Sequence, residues 1–312
     1  MKILCLDNTA LSYRLEQENQ TAVVKTGKYI NSKGIPINEN LNRHIDSDSY
    51  DFVLAPHNYC GSDYLRSRGC FVFGGGLFAR TLEENEEYNR QIRELAKLPD
   101  VPENEVYGFL WNGEEGSTHY KVVNYSRCLD HDLGMPHDSV ACRLSLQEPE
   151  HKLDELYKTL KRSSYRGVVY YDATGLYCSF IPEHLYALLE LAKEGIHSLL
   201  YAVASGRKVE CQFYSSVSVA VRVSMYPYPP LIPERGIPIK GLTEPALRHV
   251  WVEGLVREDD KWITSGENGR LLIVTGRGKN HYQAGKRVYR AIEMLEVPFV
   301  QYRTDITPKT DI

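Results

Sequence analysis

The amino end of the chain contains three short apolar runs, each separated from the next by a polar segment. The runs are Lys2–Leu6, Asp51–Ala55 and Cys70–Phe73, and the last leads into three glycines, Gly74 to Gly76. Strands that are apolar on nearly every residue are typical of a sheet covered on both faces. Because crossover segments separate the runs, one of them a helix predicted over Ser62–Arg68, the pattern predicts a small parallel sheet with helices on its faces.

The rest of the chain predicts a mixture of helices and mostly antiparallel strands. Thr81 with Glu84 three residues later forms a capping box for one helix, and Pro182 suits the first turn of another. The alternating valines of Val217–Val223 predict a half-buried strand, and the proline-rich run Tyr226–Pro238 predicts a rigid connection. The predicted helices are Thr81–Leu98, His151–Lys161, Pro182–Ala204 and Tyr282–Leu295. The further predicted strands are Thr21–Val24, Val106–Trp111, Tyr120–Tyr125, Gly167–Asp172, Leu176–Phe180, Val209–Met225, Val250–Val256, Trp262–Thr264 and Leu271–Gly276.

These elements place the chain in the α/β (α+β) class and suggest three domains. A small amino-terminal parallel α/β domain is expected in residues 1–98 and a mixed core in residues 99–225. A carboxy-terminal domain of antiparallel sheet and helix is expected in residues 226–312. A chain of this length is long enough for two or three such units.

Composition narrows the classes of partner. The 37 basic and 41 acidic residues give a formal net charge of −4, so no positive field favours nucleic acid. No apolar run approaches the roughly 18 residues of a membrane helix. The seven cysteines form no CxxC pair, which disfavours a zinc cage or a disulfide framework and favours buried reduced thiols. We therefore expect a cytoplasmic protein with no nucleic-acid or membrane partner.

Several segments, in order along the chain, resemble glycinamide ribonucleotide synthetase, also called phosphoribosylamine–glycine ligase. The strongest is RLLIVTGRGKNHYQAGKRVYRAIEMLEVPFVQYRTDI, which is similar to that family's last segment and ends in its Arg-x-Asp-Ile tail at Arg303–Ile306. Similar segments upstream are YRGVVYYDATGLY, VSVAVRVSMYPYPP, GFLWNGEEGSTHYKVV and LDHDLGMPHD, and the amino end MKILCLDN resembles the family's first strand. The resemblance implies an ATP-grasp-like core in residues 99–225.

The chain departs from that family where ligase chemistry would need it. The resemblance implies a mobile subdomain that holds ATP and an acidic-Phe-Asn strand that binds Mg²⁺, and magnesium prefers such hard oxygen ligands. There is no room for the subdomain between Leu98 and Val106, and Leu176–Phe180 carries no carboxylate or amide. Glu183 alone matches the family's Pro-Glu, which makes it a weak candidate metal ligand.

Three functions remain open at this stage. The favoured one is a ligase-like protein that has lost ATP-dependent ligation and binds a small phosphorylated or nucleotide-like ligand, or a protein partner. The second is an active phosphoribosylamine–glycine ligase of purine biosynthesis with a rebuilt nucleotide site, which would use ATP and magnesium as cofactors. The third is a structural or interaction module that forms a homo-oligomer, in which tyrosine-rich surfaces pair the subunits. The tyrosines concerned are Tyr165, Tyr170, Tyr171 and Tyr177, which could also line a pocket for a base or a sugar; packing within the core is the alternative.

The densest group of ligand-type side chains surrounds a predicted loop at Gly134–Pro136. Interleaved aspartates and histidines can bind a divalent metal, a phosphate or a ribose hydroxyl. A solvated loop is the alternative, since spacing along a loop does not fix geometry. The residues of this candidate ligand site are Asp130, His131, Asp132, His137 and Asp138.

Further candidates follow the strands of the predicted parallel sheet, because ligands bind beyond the carboxyl ends of such strands. Asn8 follows the first strand, and His57 and Asn58 follow the second. Gly74 and Gly75 follow the third and could let backbone amides approach a phosphate. An exposed loop and a plain strand-to-helix turn are the respective alternatives.

Overall fold

A computed structural model describes two compact units within the chain. The described residues are 1–6, 9–18, 20–25, 50–55, 59, 61–124, 141–149, 151–226, 228, 234–267 and 269–307. The first unit comprises Met1–Lys121, Leu146–Phe180 and Lys193–Gln212, and the second comprises Val122–Ser145, Ile181–Ala192 and Phe213–Ile312. The division into three domains at residues 98 and 225 stays a prediction.

The described residues form helices and strands in an α+β arrangement, as expected. The helices are α1 (Thr9–Gln17), α2 (Gly61–Ser67), α3 (Leu77–Glu84), α4 (Glu86–Leu95), α5 (Asp154–Leu160), α6 (Pro182–Glu190), α7 (Ile196–Ser205), α8 (Glu244–Leu247) and α9 (His281–Glu293). The strands are β1 (Lys2–Leu6), β2 (Thr21–Lys25), β3 (Phe52–Leu54), β4 (Val72–Phe73), β5 (Glu105–Trp111), β6 (Gly116–Asn124), β7 (Ala141–Leu146), β8 (Gly167–Tyr171), β9 (Leu176–Tyr177), β10 (Val217–Met225), β11 (Arg235–Ile239), β12 (Val250–Val252), β13 (Leu255–Glu258), β14 (Lys261–Ser265), β15 (Arg270–Gly278) and β16 (Val300–Gln301).

The amino-terminal sheet is parallel, and this prediction is confirmed. Its strand order is β2-β1-β3-β4, with β1 in parallel register with both of its neighbours. Residues Ile3 to Leu6 of β1 are buried, as expected for a strand covered on both faces. Tyr201 of α7 packs edge-on against Phe52 and Phe71, at ring-centroid distances of 5.9 and 5.6 Å.

The other strands of the first unit follow the order β6-β5-β8-β9. The hairpin of β8 and β9 is confirmed, with Tyr170 opposite Tyr177 and their rings stacked at a centroid distance of 4.9 Å. Helices α3, α4 and α5 pack against these strands around Trp111 and Leu156. Of the four tyrosines proposed to pair subunits, Tyr165, Tyr170 and Tyr171 are buried in this unit.

The single helix predicted over Thr81–Leu98 is wrong, because two helices, α3 and α4, meet at Asn85. The Asn85 side chain accepts a hydrogen bond from the backbone N–H of Tyr88 at 2.9 Å. The Thr81 hydroxyl instead donates to the carbonyl of Leu77, so Thr81 lies inside α3. An asparagine that satisfies an open amide is among the best N-caps, and it prevails here over the capping box.

The main sheet of the second unit has the strand order β12-β15-β10-β7, and β16 also pairs with β10. Each of these pairings is antiparallel. The half-buried character predicted for β10 is wrong, since every residue from Ser218 to Met225 is buried. The Ser218 hydroxyl donates to Ala187 of α6, whereas Gly276, opposite Val219, lies against Val288 of α9. A helix therefore covers each face of β10.

Other predicted boundaries also differ. The helix predicted over Pro182–Ala204 is two helices, α6 and α7, which the residues up to Gly195 separate. The strand predicted from Val209 starts at Val217. The strand predicted over Val250–Val256 divides into β12 and β13, and β13 belongs to a separate sheet with the order β11-β14-β13. Part of the predicted proline-rich connection is strand β11.

Two general expectations can be compared with the described part of the chain. None of its helices combines the length and the apolar character needed to cross a bilayer. Cys5, Cys70, Cys142, Cys178 and Cys211 are free thiols there, and three of them are buried.

Candidate functional site

Most of the candidate ligand residues lie outside the described part of the chain. These are Asn8, His57, Asn58, Asp130, His131, Asp132, His137 and Asp138. Their role in ligand binding stays a prediction. The structure describes Gly74, Gly75 and Glu183, which lie in different units.

In the turn at Gly74 to Gly76, two of the three backbone N–H groups already donate hydrogen bonds within the first unit. All three glycines have positive φ, at 85°, 64° and 111°, which glycine adopts without steric cost. The N–H of Gly74 donates to the carbonyl of Arg166 at 2.7 Å, and that of Gly76 donates to Tyr59 at 3.0 Å. These two amides would have to give up their partners before they could approach a phosphate.

Asp63 occupies the position at the start of α3 where an anion would bind. Its carboxylate accepts from the N–H of Leu77 at 2.6 Å, from Ser164 Oγ at 2.5 Å and from Arg66 Nη1 at 3.1 Å. Arg66 also donates to the carbonyl of Gly74 at 2.6 Å. A carboxylate at a helix N-terminus supplies the negative charge that a bound phosphate would supply. This geometry fits a strand-to-helix turn, while the phosphate role of Gly74 and Gly75 stays untested.

Glu183 is fully buried in the second unit and has a cationic partner. It lies in the first turn of α6, and its carboxylate forms an ion pair with Arg222 of β10. Arg222 shares its face of β10 with Ser218, the residue that contacts α6, so the strand's alternation directs the guanidinium toward this helix. A metal ion could bind the Glu183 carboxylate only by displacing or sharing this buried cation.

Glu253 adds a second carboxylate to this charged group. It follows β12, where its N–H donates to the carbonyl of Leu271 at 3.0 Å, and its Oε2 atom is buried. Burial raises the pKa of Glu253 to about 7. The Glu183 charge also raises that pKa, while Arg222 and Arg270 lower it. A carboxyl group that titrates near neutral pH is a recognised mark of a functional site.

Arg270, at the start of β15, belongs to the same charged group and is partly exposed. Its Nε donates to the hydroxyl of Tyr228 at 2.8 Å, and the N–H of Tyr228 donates to Gln301 Oε1 at 3.2 Å. With Glu253 protonated, the described members of this charged group are two guanidinium groups, those of Arg222 and Arg270, and one carboxylate, that of Glu183. The surplus positive charge suits an anionic group, which guanidinium binds in a planar fork.

His184 does not exchange protons near neutral pH in this group. It is buried next to Glu183, and burial lowers the pKa of its imidazole to about 3. Its Nε2 atom lies 2.7 Å from Asn124 Oδ1. Within the described residues, no three His, Cys, Asp or Glu side chains are placed to hold a metal ion.

Sequence reasoning missed Arg222, Glu253 and Arg270. A signal was present, because Arg222 is the one charged residue within β10, VSVAVRVSM, and Glu253 directly follows the apolar β12. A charged residue inside an apolar strand needs a partner, since a buried charge is costly alone.

Comparison with known proteins agrees with the resemblance read from the sequence. Residues 216–309 match the phosphoribosylglycinamide synthetase C domain. A phosphoribosylamine–glycine ligase of Streptomyces coelicolor is 34% identical over 136 residues, which are 41% of this chain. The matched part spans 32% of that protein's own length.

Solved structures show the same fold across nearly the whole chain. The phosphoribosylamine–glycine ligase of Thermotoga maritima matches with a TM-score of 0.69 and 15% identity, covering 98% of this chain and 100% of that one. The biotin carboxylase domain of a thermophilic 2-oxoglutarate carboxylase matches with a TM-score of 0.61 and 12% identity, covering 98% and 92%. The chain is therefore similar to the phosphoribosylglycinamide synthetase C domain over residues 216–309 and has the fold of a phosphoribosylamine–glycine ligase over nearly its whole length.

Proposed function

We propose that this protein does not carry out ATP-dependent ligation and instead binds a small phosphorylated or nucleotide-like ligand. The observation that carries the proposal is the buried ion pair of Glu183 and Arg222. By the resemblance, Glu183 matches the Pro-Glu that follows the family's magnesium-binding strand. Here its negative charge is already matched by a guanidinium, so the carboxylate is a poor ligand for Mg²⁺.

The connection between α4 and β5 supports the same conclusion. Helix α4 ends at Leu95 and β5 begins at Glu105. Residues 96–104 are too few to hold the two-layer subdomain that the resemblance implies at this position. A nucleotide would therefore lack the lysines and the glycine-rich loop that compensate its phosphate charges.

The ligand chemistry follows from the charges near Arg270. A phosphate ester brings two or more acceptor oxygens that match the donors of a guanidinium. Glu253, with a pKa of about 7, can take up a proton when the anion binds, which removes the repulsion between the two negative groups. We infer that the phosphate of the ligand contacts Arg270.

The loss of ligation is tested by an activity assay. ATP hydrolysis is measured with phosphoribosylamine and glycine together, and with each omitted. We expect no hydrolysis that depends on both compounds. Hydrolysis that requires both would overturn this part of the proposal and establish the alternative, an active ligase with a rebuilt nucleotide site.

Binding is tested by calorimetric titration with ribose 5-phosphate, inorganic phosphate and ATP with Mg²⁺. We expect ribose 5-phosphate to bind the wild type and to bind Arg270→Gln at least tenfold more weakly. Arg257→Gln is the matched control, because Arg257 lies in the same unit and forms an exposed pair with Asp260. Binding that is equal in the wild type and in Arg270→Gln contradicts the assignment of the site, and binding by none of the probes contradicts the ligand-binding function.

A further inference from the structure

Three side chains of the first unit form a continuous hydrogen-bonded series at the start of α7. The Oγ atom of Ser198 lies 3.1 Å from Nε2 of His197. The Nδ1 atom of the same imidazole lies 2.8 Å from Oε2 of Glu18. A hydroxyl, an imidazole and a carboxylate in this order are the three parts of an activated serine nucleophile.

The carboxylate fixes the tautomer of the imidazole. An ionised Glu18 can only accept hydrogen bonds, so the neutral His197 carries its proton on Nδ1. The lone pair is then on Nε2, which faces the hydroxyl of Ser198. The serine proton has a base within hydrogen-bond distance, which is the first geometric requirement for general-base catalysis.

The local backbone holds Glu18 and His197 in place. The Glu18 carboxylate also accepts from the N–H groups of Ile196 at 2.9 Å and His197 at 3.2 Å. Gly195 provides room for the imidazole, since a Cβ atom at this position would lie 2.6 Å from Cε1 and 2.7 Å from Nδ1 of His197. Its φ of −59° is open to any residue, so the need for glycine here is the space for the ring.

The three side chains also differ usefully in exposure. Ser198 is exposed, while the side chains of His197 and Glu18 are 26% and 21% exposed. A nucleophile that faces the solvent can meet a substrate without a movement of the fold, and its base is partly shielded from water.

We propose that Ser198 is a nucleophile that accepts the acyl group of a small activated carboxylic ester or thioester. Its Oγ attacks the carbonyl carbon while His197 Nε2 takes the hydroxyl proton. The bond from the carbonyl carbon to the ester oxygen or thioester sulfur then breaks, and the alcohol or thiol leaves with that proton. In the second half, water attacks the carbonyl carbon of the acyl-serine while His197 takes a proton from the water. The bond from that carbon to Ser198 Oγ then breaks, the proton returns to Oγ, and the carboxylic acid leaves.

The same geometry predicts slow turnover. Glu18 already occupies the amides of Ile196 and His197, so these donors do not stabilise the oxyanion of the tetrahedral intermediate. Loss of one such donor slows acyl transfer by about 100- to 1000-fold in other enzymes. Covalent labelling of Ser198 is therefore a more sensitive test than steady-state turnover.

The test uses the full chain and an alkyl fluorophosphonate, with the labelled residue located by peptide mass spectrometry. Ser198 Oγ forms a bond to phosphorus, fluoride leaves, and the proton goes to His197. We expect labelling at Ser198 that Ser198→Ala abolishes and His197→Gln slows at least tenfold. Ser205→Ala is the matched control, because Ser205 lies in the last turn of the same helix and donates to the backbone carbonyl of Ala202.

A second variant separates positioning from folding. Gly195→Ala should slow labelling at least fivefold by displacing the imidazole, while the thermal unfolding midpoint stays within a few degrees of that of the wild type. Labelling of Ser198 no faster than that of Ser205, or a rate that His197→Gln leaves unchanged, overturns the proposal.

Discussion

Arg222 of β10 and Glu183 of α6 form an ion pair in which the two side chains are only 5% and 0% exposed. The pair joins a strand that is otherwise apolar or small to the first turn of the helix that covers it. Removing two charges from water costs several kcal/mol for each ion, and the pairing offsets that cost only while both partners are present.

We predict that Arg222→Met destabilises the second unit by about 3–5 kcal/mol, because Glu183 is left buried without its cation. The double variant Arg222→Met/Glu183→Leu should recover most of that loss. Urea unfolding measures both. Arg235→Ala removes an exposed ion pair with Glu258 and should change the free energy of unfolding by less than about 1 kcal/mol. Equal losses in the buried and the exposed pair would show that the burial of Glu183 has no energetic consequence.

Glu253 makes stability depend on pH in the opposite sense to an ordinary carboxylate. Its folded pKa of about 7 lies above the ordinary 4.5, so between these values the folded state binds more protons than the unfolded state. The contribution of Glu253 to stability is therefore fully present below pH 4.5 and falls by up to about 3 kcal/mol as the pH rises through 7.

Glu253→Gln should remove this loss. The variant is expected to gain stability relative to the wild type as the pH rises from 5 to 8, measured by urea unfolding at each pH. Glu258→Gln, in an exposed pair on the surface, serves as the control and should show no such gain. A constant difference between Glu253→Gln and the wild type across this range would contradict a raised pKa.

The sequence was sufficient to predict elements whose identity depends on local pattern. The buried run Lys2–Leu6 is a strand with the predicted bounds, and the hairpin at Tyr170 and Tyr177 forms as expected. Prediction from the sequence fails where the packing of neighbouring elements determines which residues are buried. Alternation in β10 predicted one exposed face, but α9 and α6 cover both, and no pattern within the strand reports what packs on it.

The charged group around Glu253 shows the same limit for the candidate site. Glu183, Arg222 and Arg270 belong to three different elements, and only their packing brings them near one carboxyl. The sequence analysis instead placed the candidate site in a loop rich in histidine and aspartate. A sequence shows which residue types are present in such a loop, but not the distances between their side chains. A charged residue in an apolar strand was the one signal available.

Asn89 of α4 makes three buried hydrogen bonds, two to Leu176 of β9 and one to Leu82 of α3. Its Nδ2 donates to the carbonyls of Leu82 and Leu176 at 2.7 and 2.8 Å, and its Oδ1 accepts from the N–H of Leu176 at 2.9 Å. Asn89→Ala leaves these backbone groups buried without partners, so we expect a loss of about 2–4 kcal/mol in urea unfolding. Asn85→Ala, which removes only the cap of α4, should cost about 1 kcal/mol. The reverse ranking would contradict this role for Asn89.

Gly74 and Gly69 form a matched pair that separates backbone strain from steric contact. Their φ angles are nearly equal, at +85° and +87°, so an alanine at either position adopts the left-handed conformation at a cost of roughly 1–2 kcal/mol. A Cβ atom at Gly74 would lie 2.4 Å from the carbonyl oxygen of Ala55, whereas at Gly69 it would meet no atom within 4 Å.

We therefore predict that Gly74→Ala destabilises the first unit by about 1–3 kcal/mol more than Gly69→Ala. Thermal and urea unfolding of the two variants measure the difference. Ala55 directly follows β3, and its N–H donates to the carbonyl of Phe73 at 2.9 Å. Its backbone oxygen therefore cannot move aside as the end of a flexible side chain could. Equal losses would mean that the glycine is required there for its φ angle alone, and the turn could then open enough to free the Gly74 amide for a ligand.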